Sequence, residues 1–319
     1  MIKSFFKKVC IIISLALLLS FVGCAKVGYN YNGTGSGEST SKNGDGEEIV
    51  DDGDSESGDK DTEKKTEKKT EKKTEKKTEK NTEKTPLTFK LKFGTYNIYH
   101  AGNNKDLTKI AKNITDNKLD IVGLQEVDNN TKRSGKINQV KKLSELTGYK
   151  YYHFFKAINH DGGEYGTAIL SKYPIEKSNK INLSSGSAEQ RVLGHCVINV
   201  NDVKINFFVT HLSYDGEGGG SSRSKQFSEV AAELAKYDNF ILSGDFNTRN
   251  LDEYNVIKNS ALVNNKENET ITYPDGRSPL DNLVYSTSVW SFDKINVVTN
   301  SYSDHYMVWT EFTYTEKIK

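Results

Sequence analysis

The clearest hydrophobic pattern lies in residues 89–98, where apolar and polar residues alternate strictly at first and then give way to mixed positions. Alternation of this kind predicts a half-buried β-strand. Residues 120–127 are almost continuously apolar, which is typical of a strand covered on both faces. Between them, apolar residues recur every three or four positions, which predicts a helix over residues 106–118 with Asp106 as its N-cap. The order strand, helix, strand indicates an α/β protein.

The same patterns continue to the end of the chain and predict a series of further elements. Helices are predicted at 136–147, 221–236 and, more briefly, 252–259; strands at 149–155, 167–171, 239–242, 295–299 and 307–312; a turn at 162–166; and a hairpin of 191–199 with 203–210 that turns at Asn201 and Asp202. This alternation is compatible with several α/β architectures and does not choose among them.

Polar side chains with catalytic potential recur at or just beyond the predicted strand ends. They are Asn97, Glu126, His211, Asp245, Asn247, Asp281, Asp304 and His305. Polar groups collected at one edge of a sheet core form a candidate site. Period-two alternation would place Asp245 and Asn247 on one face, aimed at a metal-bound phosphate. The alternative for this pair is an ordinary Asp/Asn turn.

The first 24 residues have the pattern of an export signal. Three lysines precede an apolar run of fourteen residues, 9–22, which is too short for an ordinary membrane-spanning helix. The run ends in Phe21-Val22-Gly23-Cys24, which resembles a bacterial lipoprotein box, although Phe21 replaces the usual leucine. The resemblance implies lipidation of Cys24, and a diacylated cysteine would be a stable membrane anchor. A plain cleaved signal peptide is the alternative.

Residues 25–85 have the composition of a tether. They are rich in Gly, Ser, Asp, Glu and Lys, and residues 62–85 hold six consecutive Thr-Glu-Lys-X repeats. Such a segment cannot bury enough apolar surface to fold, and fully extended it would reach about 200 Å. We therefore predict a spacer, with a functional binding repeat as the alternative, and a globular domain over residues 86–319.

Charge and cysteine content narrow the function classes. The chain has 44 basic and 43 acidic residues, so bulk charge does not indicate a polyanion binder but leaves room for a local basic patch. Of the cysteines, only Cys196 lies in the predicted domain, which excludes a disulfide within it. The sequence has no nucleophile elbow, P-loop or Cys/His zinc cluster, so it gives no sign of a serine hydrolase, a P-loop NTPase or a zinc enzyme.

Seven short motifs in this order resemble the endonuclease/exonuclease/phosphatase superfamily over residues 88–313. They are the segments 95–98, 124–127, 166–171, 210–212, 243–247, 280–283 and 303–305. This superfamily contains pancreatic-type deoxyribonucleases, abasic-site endonucleases, neutral sphingomyelinases and inositol-polyphosphate 5-phosphatases. The resemblance implies a four-layer α/β/β/α sandwich, in which two mixed sheets pack face to face with helices outside. Asn282 departs from the tyrosine common at its position, and no charged catalytic position is affected.

The resemblance also implies a metal-assisted site. Glu126 is the implied ligand of Mg²⁺ or Mn²⁺, supported by Asn97 and Asp304. Hard carboxylate oxygens with open water positions suit these ions. Taken alone, each of these residues could instead be solvated or part of a turn.

The implied catalytic residues are His305, Asp281, His211, Asp245 and Asn247. His305 would activate the attacking water, and Asp281 would orient its imidazole. Asp245 and Asn247 would bind that water and a phosphate oxygen, and His211 would donate a proton to the phosphate or the leaving group.

Substrate contacts are expected from Arg191, Arg223 and His160. His195 is expected to support the site or touch substrate, and His100 and His153 to line the substrate side. A solvated surface position is the alternative for these histidines.

The sequence therefore predicts a monomeric hydrolase of phosphodiester bonds, lipid-anchored on the outer face of the cell membrane. Nucleic acid and phospholipid head groups are both candidate substrates. The near-neutral domain argues against a DNA binder that relies on phosphate contacts, and a membrane anchor favours a lipid head group. The alternatives are a sphingomyelin, phospholipid or inositol-phosphate hydrolase, and a non-catalytic surface-binding module of the same fold.

Overall fold

The computed structural model describes residues 85–102, 106–214, 220–300 and 302–318. All of them belong to one structural unit, Lys77–Lys319. The predicted signal peptide, Cys24 and nearly all of the predicted tether lie outside the described residues. Within the described ranges, no helix has the length and apolarity needed to cross a membrane.

The described ranges contain thirteen strands and three α-helices. The strands are β1 (Thr88–Asn97), β2 (Ile121–Asn129), β3 (Tyr151–His160), β4 (Gly163–Ser171), β5 (Ile175–Asn182), β6 (Val192–Val200), β7 (Val203–His211), β8 (Phe240–Asp245), β9 (Ser260–Leu262), β10 (Asp281–Ser286), β11 (Trp290–Phe292), β12 (Asn296–Val298) and β13 (Met307–Thr315). The helices are α1 (Leu107–Asp116), α2 (Gln139–Thr147) and α3 (Gly220–Leu234), with short 3₁₀ helices at Tyr99–Ala101 and Leu251–Val256.

The strands form two mixed sheets. Sheet A has the order β11-β13-β1-β2-β4-β3, with β12 also paired to β13, and sheet B has the order β5-β6-β7-β8-β10-β9. Each sheet has one parallel pair near its centre, β1 with β2 and β7 with β8, and antiparallel pairs elsewhere. Asn97, His211 and Asp245 are the last residues of β1, β7 and β8, and Glu126 lies at a register shift within β2, three residues before its end.

Apolar side chains fill three layers. Phe93, Ile169, Phe207 and Ile241 belong to the cluster between the sheets. A second cluster packs α1 and α2 against sheet A, and a third packs α3 against sheet B. The described residues therefore form the α/β/β/α sandwich that the family resemblance implies.

Local sequence signals set the helix ends. The Asp106 side chain accepts a hydrogen bond from the Thr108 amide, which confirms its predicted role as N-cap of α1. Asn138 accepts from the Lys141 amide and caps α2, which starts at Gln139, three residues later than the predicted start at 136. Gly148 ends α2 in the left-handed conformation, φ 75°, which glycine adopts without a steric penalty.

Several predicted boundaries are wrong. The turn predicted at 162–166 is confined to Asp161 and Gly162, because β4 already starts at Gly163 and pairs with His160. The edge strand β5 is absent from the prediction, since it is mostly exposed and shows no apolar pattern. The helix predicted at 252–259 is the 3₁₀ helix Leu251–Val256.

Candidate active site

Three adjacent strands of sheet B place three functional side chains side by side. His211 is the last residue of β7 and lies in register with Asp245, the last residue of β8. Asp281 opens the antiparallel strand β10 and is paired with the same Asp245. Asp245 is therefore the centre of the row, and all three side chains are buried.

Sheet A contributes Asn97 and Glu126 from β1 and β2. The register of β2 against β4 shifts between Leu124 and Val127, and Glu126 has φ 57°. This bulge turns the carboxylate out of the strand's regular alternation. The Asn97 amide nitrogen donates to Glu126 Oε1 at 3.1 Å and to Asp245 Oδ2 at 3.0 Å. Asn97 thus joins the carboxylates of the two sheets.

His305 and Asp281 form a buried pair. His305 Nδ1 lies 2.9 Å from Asp281 Oδ2, and His305 Nε2 lies 3.5 Å from Asp245 Oδ2. The Asp281 backbone is held by the Thr272 hydroxyl, which accepts from its amide at 2.9 Å. Burial disfavours the imidazolium, but Asp281, Asp245 and Asp304 outweigh burial and raise the pKa of His305 to about 10.

His211 has the opposite electrostatic environment. Arg191 Nη1 donates to His211 Nδ1 at 3.2 Å, and Asn247 Nδ2 lies 3.0 Å from Nε2. Burial, followed by the charges of Arg191 and His305, holds the pKa of His211 well below its usual range, so the ring is neutral. A neutral imidazole has one acceptor nitrogen. Only one of the two donors, Arg191 at Nδ1 or Asn247 at Nε2, can therefore hydrogen-bond to the ring at a time.

Asp245 and Asn247 do not lie on one strand face, contrary to the alternation argument. β8 ends at Asp245, and Asn247 follows in the left-handed conformation, φ 52°. The Asn247 amide donates to Asp245 Oδ1 at 3.0 Å, which is an Asx turn. The turn directs the Asn247 side chain to His211 and to the Leu212 carbonyl oxygen at 2.9 Å.

The carboxylates of the site suit a hard divalent cation. Burial raises the pKa of Glu126 to about 7 and that of Asp245 to about 6, and it also raises the pKa of Asp304. Among the described residues, buried Asp281 Oδ1 has no hydrogen-bond partner. Ligand atoms of Asp245, Asp281 and His305 lie within 4.8 Å of one another. Crowded carboxylates with an unsatisfied buried oxygen are stabilised by a cation.

Backbone and carboxylate contacts orient the Asn97 side chain amide. Its Oδ1 accepts from the Tyr99 amide at 3.0 Å, while its amide nitrogen faces the carboxylates. Asn97 therefore orients Glu126 and Asp245. The Ser303 hydroxyl donates to the Asn97 carbonyl oxygen at 2.7 Å and lies 3.3 Å from Asp304 Oδ1.

The three predicted substrate contacts occupy different places. Arg191 lies beside His211 and pairs with Glu189 at 2.9 Å. Arg223 is buried, pairs with Glu253, and donates to the Asn247 carbonyl oxygen at 3.0 Å, so it positions the turn that carries Asn247. His160 ends β3 with its ring 6.0 Å from that of Tyr165, measured between centroids.

The remaining three histidines considered in the sequence contact neighbouring residues of the fold. His195 stacks on Phe208 with ring centroids 4.2 Å apart, and its Nε2 lies 3.0 Å from Asn206 Oδ1. His153 packs against Phe155. His100 lies in the 3₁₀ turn after β1 with φ 43°, and its carbonyl oxygen accepts from the Gln139 side chain.

Two residues near the site are absent from the sequence prediction. Tyr273 meets the His305 ring edge to face at 4.9 Å, and Arg133 lies in the loop after β2. Tyr273 comes from an irregular loop without a periodic pattern. A basic residue a few positions beyond the strand of Glu126 was the available signal for Arg133.

Comparison with known proteins defines the family. Residues 94–305 match the Endonuclease/Exonuclease/phosphatase family, and this range contains every described residue of the site. The chain therefore belongs to the endonuclease/exonuclease/phosphatase family. Members of this family are metal-dependent phosphoester hydrolases.

Solved structures agree with the fold. An endonuclease/exonuclease/phosphatase from Beutenbergia cavernae is 20% identical, with TM-score 0.59, over 70% of this chain and 72% of that one. The mannosyl-6-phosphatase Bt3783 of Bacteroides thetaiotaomicron is 17% identical, with TM-score 0.56, over 70% and 99%. The human Nocturnin catalytic domain with bound sulfate is 19% identical, with TM-score 0.56, over 72% and 97%. No curated protein matches the sequence significantly.

Proposed function

We propose that this protein is a divalent-metal-dependent hydrolase of phosphodiester bonds. The observation that carries the proposal is the His305–Asp281 pair, whose free imidazole nitrogen faces Asp245 at 3.5 Å beside the carboxylates Glu126 and Asp304. A histidine oriented by a buried carboxylate is suited to accept a proton from an attacking water. A surface-binding module would have no need for this buried arrangement.

The residues divide the work between proton transfer and phosphate binding. His305 accepts the proton, and Asp281 holds the ring and stabilises the charge that forms. Asp245 holds the attacking water next to His305 Nε2. Neutral His211, with Asn247 at its side, donates hydrogen bonds to a phosphate oxygen or to the leaving group.

Glu126 and Asp304 would hold Mg²⁺ or Mn²⁺, with Asn97 orienting Glu126. The ion would polarise a phosphate oxygen and, by offsetting the surrounding carboxylates, lower the pKa of His305 toward neutrality.

The cell-surface setting is part of the proposal. The signal-like residues 1–24 and the repeats at 62–85 support a monomer that is anchored through Cys24 outside the cell and held away from the membrane. Replacing Cys24 with serine should move the protein from the membrane fraction to the soluble fraction. Membrane retention of Cys24→Ser would contradict lipid anchoring.

The direct test is hydrolysis of bis-p-nitrophenyl phosphate by the purified protein with Mg²⁺, and its loss in EDTA. His305→Ala and Asp245→Ala should each lower kcat by at least ~10². Asp281→Asn should act through His305, so adding it to His305→Ala should cost little more. Lys177→Ala on exposed β5 is the control and should retain activity.

Unchanged turnover in His305→Ala would refute the assigned roles. A panel of DNA, RNA, sphingomyelin, inositol phosphates and a sugar monophosphate then identifies the substrate. The monoester belongs in the panel because one fold neighbour is a mannosyl-6-phosphatase. Absence of divalent-ion binding by calorimetry would favour the non-catalytic alternative.

A further inference from the structure

Arg133 is held rigidly beside the candidate site by a buried carboxylate. Its Nε and Nη2 donate to the two oxygens of Asp128, each at 2.8 Å. Asp128 is fully buried, lies two residues after Glu126 on β2, and also accepts from the Thr131 hydroxyl at 2.8 Å. Such a two-pronged pair fixes the plane of the guanidinium as well as its position.

The outer part of the guanidinium remains available. The Arg133 side chain is 32% exposed, and Nη1 makes no hydrogen bond to any described residue. An arginine whose inner edge is fixed and whose outer edge is open is suited to bind an anion.

Tyr165 connects Arg133 with the catalytic residues. The guanidinium carbon lies 5.4 Å from the centroid of the Tyr165 ring, which is a cation–π contact. Tyr165 also lines a small cavity together with Arg191 and His211. One buried aromatic ring therefore contacts Arg133 and borders the same cavity as His211.

The loop around Arg133 is built to keep this placement. The Arg133 amide donates to Asp161 Oδ2 at 2.6 Å, and the Lys132 amide donates to the Asp161 carbonyl oxygen at 2.9 Å. The Gln139 side chain accepts from the Asp128 amide at 2.8 Å and donates to the His100 carbonyl oxygen at 2.7 Å. Gln139, the first residue of α2, thereby ties β2 to the 3₁₀ turn that follows β1.

The pKa shifts of His100 and Arg133 agree with the position of Arg133 beside the candidate site. Partial burial lowers the pKa of His100, and the charge of Arg133 lowers it further. Burial opposes the charge of Arg133, whereas Asp128, Tyr165 and Glu126 favour it and raise its pKa. The charge of Arg133 thus acts on Glu126 and on His100, which lies in the turn that follows β1.

We propose that Arg133 forms a second anion subsite, so that the preferred substrate carries another phosphate next to the scissile phosphoester. The inference rests on the proposed phosphodiesterase function and specifies its substrate class. Asp128 is a positioning residue, and Tyr165 holds the guanidinium through its cation–π contact. A phosphorylated nucleoside and a phosphorylated polyol both offer this chemistry.

The test is calorimetric binding by the full protein of two matched ligand pairs, with Mg²⁺ present. The pairs are thymidine 3′,5′-bisphosphate with thymidine 5′-phosphate, and myo-inositol 1,4-bisphosphate with inositol 1-phosphate. In at least one pair the bisphosphate should bind about tenfold more tightly, as expected for one charge-assisted hydrogen-bonded contact. The pair that shows this ratio identifies the nucleotide or the polyol as the source.

Arg133→Gln should abolish the ratio, while Lys132→Gln, which removes the same charge from an exposed neighbour, should retain it. Because Arg133→Gln leaves Asp128 buried without its partner, Arg133→Gln combined with Asp128→Asn provides a folded alternative. Equal affinities within both pairs, or a ratio that survives loss of Arg133, would overturn the proposal.

The binding measurement separates this inference from the proposed function. Loss of hydrolysis with an intact Arg133-dependent ratio would refute the phosphodiesterase and retain the subsite. In the hydrolysis assay, Arg133→Gln should raise KM about tenfold for a p-nitrophenyl thymidine ester that carries a 3′-phosphate. The control Lys132→Gln should leave KM for the same ester within about twofold.

Discussion

At the scale of single residues, burial acts differently on histidines according to the charges around them. His305 and His211 are both buried and both face Asp245 at 3.5 Å. At His305 the charges of Asp281 and Asp245 outweigh burial and favour the charged form. At His211 burial, reinforced by the charge of Arg191, keeps the ring neutral. The site therefore holds a charged and a neutral imidazole on either side of one carboxylate. In the proposed mechanism His305 becomes a proton acceptor when a bound cation lowers its pKa.

His195 allows a test of how the burial of a histidine makes protein stability depend on pH. Burial lowers its pKa, although Asn206 and Glu233 oppose the shift, while its stacking partners Phe208 and Tyr237 are uncharged. The native state therefore binds fewer protons than the unfolded state, and stability falls as pH drops through about 6.5 and below. His195→Gln should shrink the difference in Tm between about pH 7.5 and about pH 5. An unchanged difference would contradict the assignment.

At the scale of elements, the position of the site depends on how closely the two sheets approach. Gly123 on β2 faces Ser243 on β8, and an added Cβ would collide with the Ser243 hydroxyl and lie 3.0 Å from Val209. Glu126 and Asp245 follow on the same two strands. The distance between the sheets thus sets the distance between their carboxylates.

Gly123→Ala should therefore reduce both stability and activity. Overpacking at a well-filled contact costs about 1–3 kcal/mol, and a small displacement of one carboxylate strongly lowers turnover. Thermal unfolding and hydrolysis rates measure the two effects. Ser243→Ala removes the nearest colliding atom and should restore part of both, while Ser243→Ala alone serves as the control. Wild-type activity in Gly123→Ala would show that the sheets can separate without affecting the site.

The burial of each element explains whether it could be predicted from the sequence. In residues 89–98 and 120–127 the apolar pattern of the sequence reflects which positions are buried, so β1 and β2 were predictable. β5 lies exposed at a sheet edge and has no such pattern. The bulge at Glu126 and the turn at Asn247 are backbone conformations that periodicity does not encode. The position of Arg133 shortly after the strand of Glu126 was a local signal, but its contact with Tyr165 depends on the pairing of strands and could not be predicted.

The site residues were predictable as a set because they follow strand ends, but their contacts were not. Parallel pairing of β7 with β8 brings the ends of both strands to one edge, which explains His211 beside Asp245. The pairing of Asp281 with His305 joins the two sheets, and it depends on their packing. The resemblance to the family supplied this partnership, whereas alternation alone suggested the wrong face for Asn247.

At the scale of the whole molecule, the site lies where the two sheets meet. Glu126 and Asp304 are attached to strands of sheet A, and Asp245 and Asp281 to strands of sheet B. Asn97 Nδ2 and His305 are the described contacts that join these carboxylates across the seam. Repulsion among the carboxylates therefore opposes the packing of the sheets, and a bound cation would turn that repulsion into attraction.

A cation that binds only the folded protein should accordingly raise its thermal stability. At a Mg²⁺ concentration of about one hundred times Kd, the gain is about 2.7 kcal/mol, which scanning calorimetry would register as a higher Tm. Glu126→Gln should abolish the Mg²⁺ effect and, by removing one crowded carboxylate, raise Tm in EDTA above that of the unmodified protein. Lys177→Ala should retain the full Mg²⁺ effect. A Mg²⁺-dependent rise in Tm that survives Glu126→Gln would place the ion elsewhere, closest to the Asp245, Asp281 and His305 cluster.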